Sequence, residues 1–315
     1  MFIVTGAAGF IGSNLIHALN DRGHSDVIAV DDLTDGHKFE NLVGSQIADF
    51  IDARDFRQRI LDGADFGKVA AVFHQGACSD TTEWDGRYML DTNFTVSKEL
   101  FGWCQDHAVP LIYASSAAVY GASTDFREDT PDLRPLNVYG WSKLLFDQWV
   151  ARQGSSLPGK VVGLRYFNVY GPRESHKGRM ASVVHHFSRQ IEADGQVKVF
   201  GASHGFDDGE HRRDFVFVGD AVKVNLWAYQ SPEASGVYNV GTGTGRTFND
   251  LARAVIAFHG RGAITYIPFP ADLNDAYQAV TTADIDRLRG AGYDEPFAAI
   301  EEGVPATLGT NTNGA

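Results

Sequence analysis

Short apolar runs alternate with amphipathic segments through the first half of the chain. Residues 2–4, 27–30, 69–74, 111–114 and 161–165 are compact apolar runs and predict strands. Between them, residues 11–22, 88–106 and 141–152 place their apolar positions at helical spacing. Short apolar strands that alternate with helices predict an α/β fold with a doubly wound parallel sheet, covered on both faces. After Arg165 the alternation becomes irregular, and Gly, Pro and polar residues cluster at 170–178 and 201–209. Residues 1–167, in which the glycine loop Gly6-x-x-Gly9-x-x-Gly12 follows the first apolar run, are expected to form a dinucleotide-binding domain. Residues 214–242 are expected to return to its sheet, through runs at 215–218 and 237–240. Residues 168–213 and 243–315 are expected to form a smaller α/β substrate lobe above the carboxyl ends of the strands, where open sheets bind ligands. The Gly-, Thr- and Asn-rich stretch 303–315 is expected to fray.

The 315 residues carry 27 basic and 40 acidic side chains, a net charge of −13, which argues against nucleic acid as a partner. No apolar run reaches the roughly 20 residues needed to span a bilayer. The amino terminus lacks the basic start of a secretory signal. A cytoplasmic protein with no membrane partner is expected. The two cysteines, Cys78 and Cys104, are expected to be reduced, and no metal-ligand spacing is present, so no metal site is expected.

Candidate chemistry begins with the glycine loop, Gly6-x-x-Gly9-x-x-Gly12, between the first strand and the first helix. Gly6 permits the turn, Gly9 lets the backbone approach a pyrophosphate, and Gly12 lets the helix pack closely. The helix amino terminus then offers N–H groups to the phosphates. Asp31 and Asp32 close the second strand, where a carboxylate accepts from the adenosine ribose and favours NAD. Lys38 could offset that charge for NADP, so both cofactors stay open here. The small-residue turn Gln75-Gly76-Ala77-Cys78-Ser79 follows another strand end and can lie under the cofactor. Tyr139 and Lys143 stand at i and i+4, so one helix face presents a phenol and an ammonium group. A nearby positive charge lowers a phenol's pKa, which makes the pair a poised acid/base. Ser116, upstream at a strand end, can hold an alcohol or ketone oxygen. Together these residues point to hydride exchange between a nicotinamide and an alcohol carbon. Arg213 can fork onto a diphosphate; its plainer role is a salt bridge with Asp214.

With these residues in view, the chain resembles the extended short-chain dehydrogenase/reductases, which are Rossmann-like. Within them it resembles the ADP-glycero-manno-heptose 6-epimerase family. The likeness runs from residue 1 to about 305 and rests on the glycine loop, Thr81-Thr-Glu-Trp-Asp-Gly86, Tyr113-Ala-Ser-Ser-Ala117, Leu136-Asn-Val-Tyr139, Arg165 to Glu174, His176-Lys-Gly178 and Arg213-Asp-Phe-Val216. The resemblance implies one tightly bound NADP per subunit, inversion at C6″ of an ADP-heptose for lipopolysaccharide core synthesis, and a homo-oligomer, typically a pentamer. It implies that Phe10, Ile11, Asp31, Asp32, Lys38, Gln75, Gly76, Ala77, Cys78, Ser79, Asn93, Lys143, Val169 and Lys177 surround the cofactor. It implies that Ser116, Asn168, Arg179, His186, Phe200, Gly201, Ala202, Ser203, Arg213 and Tyr277 surround the substrate. Tyr139 is the first acid/base, and the resemblance makes Lys177 a second. The chain departs from the family at Asp32, where Asn is usual, at Ala53, where a basic residue is usual and Arg54 is adjacent, at Thr92, at Arg179, and in a longer segment between Ser203 and Arg213. Alternatives are another nucleotide-sugar epimerase, acting on a UDP- or GDP-sugar, a dehydratase, disfavoured by Ala117-Ala118 after Ser116, and a catalytically silent dinucleotide-sensing protein.

Overall fold

The structure is a computed structural model that describes residues 1–154, 156–270 and 277–309. Seven strands form the central sheet: β1 (Phe2–Thr5), β2 (Val27–Asp31), β3 (Asp49–Asp52), β4 (Ala71–His74), β5 (Leu111–Ser116), β6 (Val161–Tyr166) and, further along the chain, Gly236–Val240. That last strand pairs with β6, and the spatial order is completed by β5, β4, β1, β2 and β3. All neighbours are parallel, with Phe2 opposite both Val27 and Ala71. The helices that connect them are α1 (Phe10–Asp21), α2 (Ala53–Leu61), α3 (Gly86–Leu90), α4 (Val96–Asp106) and α5 (Val138–Ala151).

Period-two alternation divides the strand side chains between two cores. Phe2 and Val4 of β1 pack with Leu15, Ile16 and Leu19 of α1, whereas Ile3 packs with Phe56 of α2, Leu100 of α4 and Phe146 of α5. This burial on both faces is why β1 reads as a continuous apolar run.

The second half adds β7 (Asn168–Tyr170), α6 (Val183–Asp194), β8 (Gln196–Phe200), β9 (Arg212–Arg213), β10 (Phe215–Phe217), α7 (Val218–Gln230), then β11 (Gly236–Val240) of the central sheet, β12 (Arg246–Thr247), α8 (Phe248–His259), β13 (Ala263–Ile267), β14 (Val280–Thr281), α9 (Asp286–Gly290) and α10 (Ile300–Gly309). Helices α6, α8 and α10 close a separate core over the parallel pair β8 and β13, through Val184, Ile191, Val197, Leu251 and Val304. Helix α7 packs on the first lobe instead, placing Val222 and Leu226 beside Leu15 of α1.

Four local differences from the sequence reading have physical causes. The edge strand β3 is not predicted, because only Ile51 of its four residues is buried and both ends are acidic. Residues 215–217 do not join the central sheet; they pair with β7 in a two-stranded parallel sheet. The helix expected over 88–106 is interrupted by a π turn at Asp91–Thr95, which places Asn93 in the interior. Residues 303–309 are helical, not frayed, because Val304 and Leu308 are buried. Residues 310–315 of that stretch lie outside the described residues.

Candidate active site

The strand order reverses at β1, with β2 on one side and β4 on the other, and a crevice opens at such a point. The loops leaving β1 and β4 meet there. A Cβ on Gly6 would fall 2.6 Å from the Gly76 nitrogen, and Gly6 itself takes φ 65°. A Cβ on Gly12 would lie 2.1 Å from the Gly6 carbonyl oxygen, so Gly12 serves the loop's own closure as well as helix packing. Gly9 precedes α1 without a side-chain cap, and the first turn carries no acid. The positive end of α1 is therefore open to an anion.

Asp31 is buried at the end of β2. Its carboxylate accepts from the amides of Ala8 (2.7 Å) and Asp32 (2.7 Å) and from Lys38 Nζ (2.5 Å). Lys38 also donates to the Asp32 carbonyl (2.7 Å). Asp32 is exposed, and hydrogen bonds from Thr34 hold its carboxyl below the ordinary range, with Lys38 and Arg54 adding to the effect. After β4, Gln75 is fixed between Asn225 (3.0 Å) and the Tyr166 hydroxyl (3.0 Å). Asn93 accepts from Cys78 N (2.8 Å) and donates to Cys78 O (2.9 Å) and to Ser142 Oγ (3.0 Å). Its amide thus fastens the turn through Gly76, Ala77, Cys78 and Ser79 to α5.

Asn137 caps α5 by accepting from Gly140 N, so the helix starts at Val138, three residues before the expected start, and takes in Tyr139. Tyr139 and Lys143 are one turn apart on it. The Tyr139 phenol hydrogen-bonds Ser116, whose hydroxyl also accepts from Ala118 N (3.1 Å). Lys143 is buried and donates to the Ala114 carbonyl (2.9 Å) at the end of β5. Burial brings its pKa down to about 8, against a pull upward from Asp147. The sequence reading has Lys143 lowering the phenol. Here burial governs and pushes Tyr139 above its ordinary value, with Ser116 opposing.

Lys177 lies half-buried on the 3-10 segment Ser175–Met180, with its Nζ 5.1 Å from the centre of the Phe10 ring. Burial lowers its pKa, and Glu174 opposes this. Buried Glu174 holds the segment by accepting from Ser182 N (2.5 Å) and Ser182 Oγ (2.6 Å). Lys177 shares a cavity of about 240 Å³ with Asn168 and Val169 of β7. Ile11 follows Phe10 on the first turn of α1.

The proposed substrate contacts fall into two groups. Arg213 is buried on β9 and has no carboxylate within ion-pair distance among the described residues. Its guanidinium lies over the Tyr277 ring at 4.7 Å and hydrogen-bonds that phenol. Asp214, the plainer partner, instead accepts from Thr242 N (2.7 Å), Gly243 N (3.0 Å) and Ala283 N (3.1 Å). Phe200, Gly201, Ala202 and Ser203 lead into the same cluster: Phe200 meets Phe269, Ser203 Oγ bonds His211 Nε2 (2.9 Å), and both Phe269 and His211 pack on Tyr277. His186 on α6 lies apart from these, with its ring 3.3 Å from the Arg179 carbonyl. The Arg179 side chain is exposed and turned to Thr82 and Asp80 (3.5 Å).

Two buried residues escaped the sequence reading. Asp147 stands one turn beyond Lys143 and accepts from Tyr113 (3.0 Å), Ser115 (2.9 Å) and Arg165 (3.0 Å). Its i+4 spacing from Lys143 was the available signal. His74 bonds Thr5 Oγ1 (2.7 Å) and Ser97 Oγ (2.9 Å), and burial lowers its pKa to about 3, so it is neutral. Nothing local distinguishes it from any strand-end histidine.

The model of the NAD dependent epimerase/dehydratase family matches residues 2–241. The chain is 59% identical over 304 residues to ADP-L-glycero-D-manno-heptose-6-epimerase of Alkalilimnicola ehrlichii, covering 96% of this chain and 95% of that one. Among solved structures, the ADP-L-glycero-D-manno-heptose-6-epimerase of Helicobacter pylori is 32% identical, with a TM-score of 0.83 over 98% of this chain and 95% of that one. The UDP-glucose 4-epimerase of Thermus thermophilus, solved in complex with NAD, is 29% identical, with a TM-score of 0.82 over 100% and 99%. A glycine cradle at the sheet's switch point, a Tyr–Lys pair on the following wall and a family match across three quarters of the sequence agree, and the chain belongs to the NAD dependent epimerase/dehydratase family.

Proposed function

We propose that the chain interconverts ADP-D-glycero-D-manno-heptose and ADP-L-glycero-D-manno-heptose by inversion at C6″, using a tightly held NADP, one per subunit. The observation that carries this reading is the 59% identity across 96% of the chain to the Alkalilimnicola enzyme. The likeness to a 4-epimerase supports only the chemistry the two would share. The residues present fit a nicotinamide dinucleotide, because Gly6 and Gly12 let the loop close too tightly for any Cβ, which keeps its backbone against the uncapped, acid-free start of α1. For NADP in place of NAD, the support is that two cations offset the two carboxylates at the end of β2: Lys38 on Asp31, and Arg54 near Asp32. Arg54 stands in for the basic residue missing at Ala53.

A bound nicotinamide would supply reversible hydride exchange at C6″, so that the sugar carbon passes through a ketone and can be reduced on its other face. Tyr139 exchanges the hydroxyl proton, with Ser116 holding the same oxygen. Lys143 anchors the lower end of this wall through the Ala114 carbonyl and supplies positive charge to a phenolate. Inversion presents the hydroxyl from a second direction, and Lys177 serves there as the other acid/base. Its lowered pKa eases the loss of a proton that a base must undergo. Arg213, buried without a carboxylate among the described residues, takes the diphosphate. Phe200 to Ser203, Asn168, His186 and Tyr277 line the rest of the substrate's path. Arg179 meets the substrate only by leaving Thr82.

Each ADP-heptose epimer, given to the enzyme, should approach the same mixture, while UDP- and GDP-sugars stay unchanged. No conversion of either ADP-heptose would overturn the reading. Tyr139→Phe should keep the cofactor and lose about 10²- to 10⁴-fold in turnover. By the same family resemblance the subunits assemble as a cytoplasmic homopentamer, which sedimentation of the purified protein would test. Among the described residues no helix is long and apolar enough to cross a membrane.

A further inference from the structure

Asn41 joins the glycine loop to the segment that carries Lys177. It lies buried in the 3-10 segment Gly36–Leu42, beside α1. Its carbonyl is 3.2 Å from His17 Nε2 on α1. Its side-chain nitrogen donates to the Ala8 carbonyl in the glycine loop (2.8 Å) and meets His176 Nδ1 (3.0 Å), the residue before Lys177. An amide nitrogen carries two protons, one for each loop. His176 Nδ1 is then the acceptor, and its ring proton sits on Nε2.

The segment that carries Lys177 needs such support. It is a short 3-10 stretch with a non-helical break at Gly178, where φ is 52° and ψ −125°. Its upstream end is tied to α1 by Asn14, which donates to the Pro172 carbonyl (3.0 Å) and accepts from Arg173 (3.0 Å). Its downstream end is tied by Glu174 to Ser182. Between those ties, the hydrogen bond to Asn41 holds the neighbour of Lys177 against the glycine loop.

We infer that Asn41 and His176 are positioning residues, a latch that sets Lys177 over the cofactor cradle and ties its place to that of the glycine loop. This rests on reading Lys177 as the second acid/base. A group held even 1 Å from its productive place can lose about a hundredfold in rate. Substrate binding at Arg213 lies on other elements, so the latch acts on turnover.

The test uses the holoenzyme and three variants: His176→Leu, His176→Asn and Lys177→Ala. An asparagine at 176 offers a carbonyl oxygen where Nδ1 stood. His176→Leu should lower kcat roughly ten- to a hundredfold, leave KM and cofactor content unchanged, and speed amide exchange in the peptide over residues 172–182. His176→Asn should recover most of the turnover and the slow exchange, a rescue that a merely space-filling histidine would not give. Wild-type kcat and wild-type exchange in His176→Leu, with Lys177→Ala impaired, would overturn the latch. Wild-type turnover in Lys177→Ala would instead remove the second acid/base, and with it the latch's purpose.

Discussion

Burial moves the proton affinities of Tyr139 and Lys143 in opposite directions. The phenol rises above its ordinary value and the ammonium falls to about 8, because each neutral form is the one a dry wall favours. For Lys143 the folded value lies below the unfolded one of about 10.4. Between those two values the unfolded chain holds a proton that the folded chain has lost, so Lys143 makes stability increase with pH across that window. Lys143→Met should remove an increase of about 1.4 kcal/mol per pH unit at most. Urea unfolding of both proteins between pH 8 and 10 measures it, and parallel curves would contradict the placement of Lys143. Arg213 poses a different problem, a buried guanidinium stacked on Tyr277 with no carboxylate beside it among the described residues. Its guanidinium hydrogen-bonds Tyr277 and the Arg212 carbonyl (3.0 Å) but carries a desolvation cost that no carboxylate offsets, so replacing it by an apolar side chain costs the fold little. Arg213→Met should therefore melt no lower than the parent, while KM for the nucleotide sugar rises about ten- to a hundredfold, the worth of a charged hydrogen bond. A fall in melting temperature with unchanged KM would make Arg213 a structural residue.

At the scale of elements, the glycine loop works because three pieces of backbone occupy nearly the same place. Gly6 turns with positive φ against Gly76, and Gly12 of α1 presses on the Gly6 carbonyl. A methyl group 2.1 Å from a carbonyl oxygen cannot be accommodated by rotating a side chain. Gly12→Ala should force the loop away from α1 and release the cofactor, seen as nucleotide freed per chain on denaturation. A full complement of nucleotide in that variant would show that the loop gives way without harm. The π turn at Asp91–Thr95 works on the same scale. One extra residue in the helix turns Asn93 inward, where its amide holds the 75–79 turn to α5. Periodicity cannot announce such a bulge, because it shifts the phase of the helix by a single residue.

For the whole molecule, Asp147 and Arg165 join α5 to β6 through a pair almost fully buried, and the pair continues through Tyr120 (3.0 Å) to Asn239 (2.7 Å) of β11. This network spans the wall that carries Lys143. Asp147→Asn leaves a guanidinium buried without its charge partner, which costs about 3–5 kcal/mol. A clear drop in melting temperature is expected in a thermal scan, and an unchanged midpoint would mean that water or a rearrangement supplies the missing acceptor. Much of this architecture was legible beforehand. Continuous apolar runs marked the strands buried on both faces, and the spacings of Gly6, Gly9 and Gly12 and of Tyr139 and Lys143 marked the loop and the wall. The edge strand β3 was hidden because a half-exposed strand has no apolar run to display. The pairing of Phe215–Phe217 with β7 was hidden because three apolar residues suit any sheet.

The sequence by itself determined which residues could bend, stack or exchange protons, and it determined the alternation of the buried strands and main helices in the first half, since local conformation and burial periodicity are written in neighbouring residues. Only the tertiary structure decided that Lys38 binds Asp31, that Arg213 stays apart from Asp214, that Arg179 turns to Thr82, and that Asn41 bridges Ala8 and His176. These contacts join residues distant in the chain, often through one hydrogen bond. Which donor meets which acceptor depends on how whole lobes pack, and no local pattern encodes that.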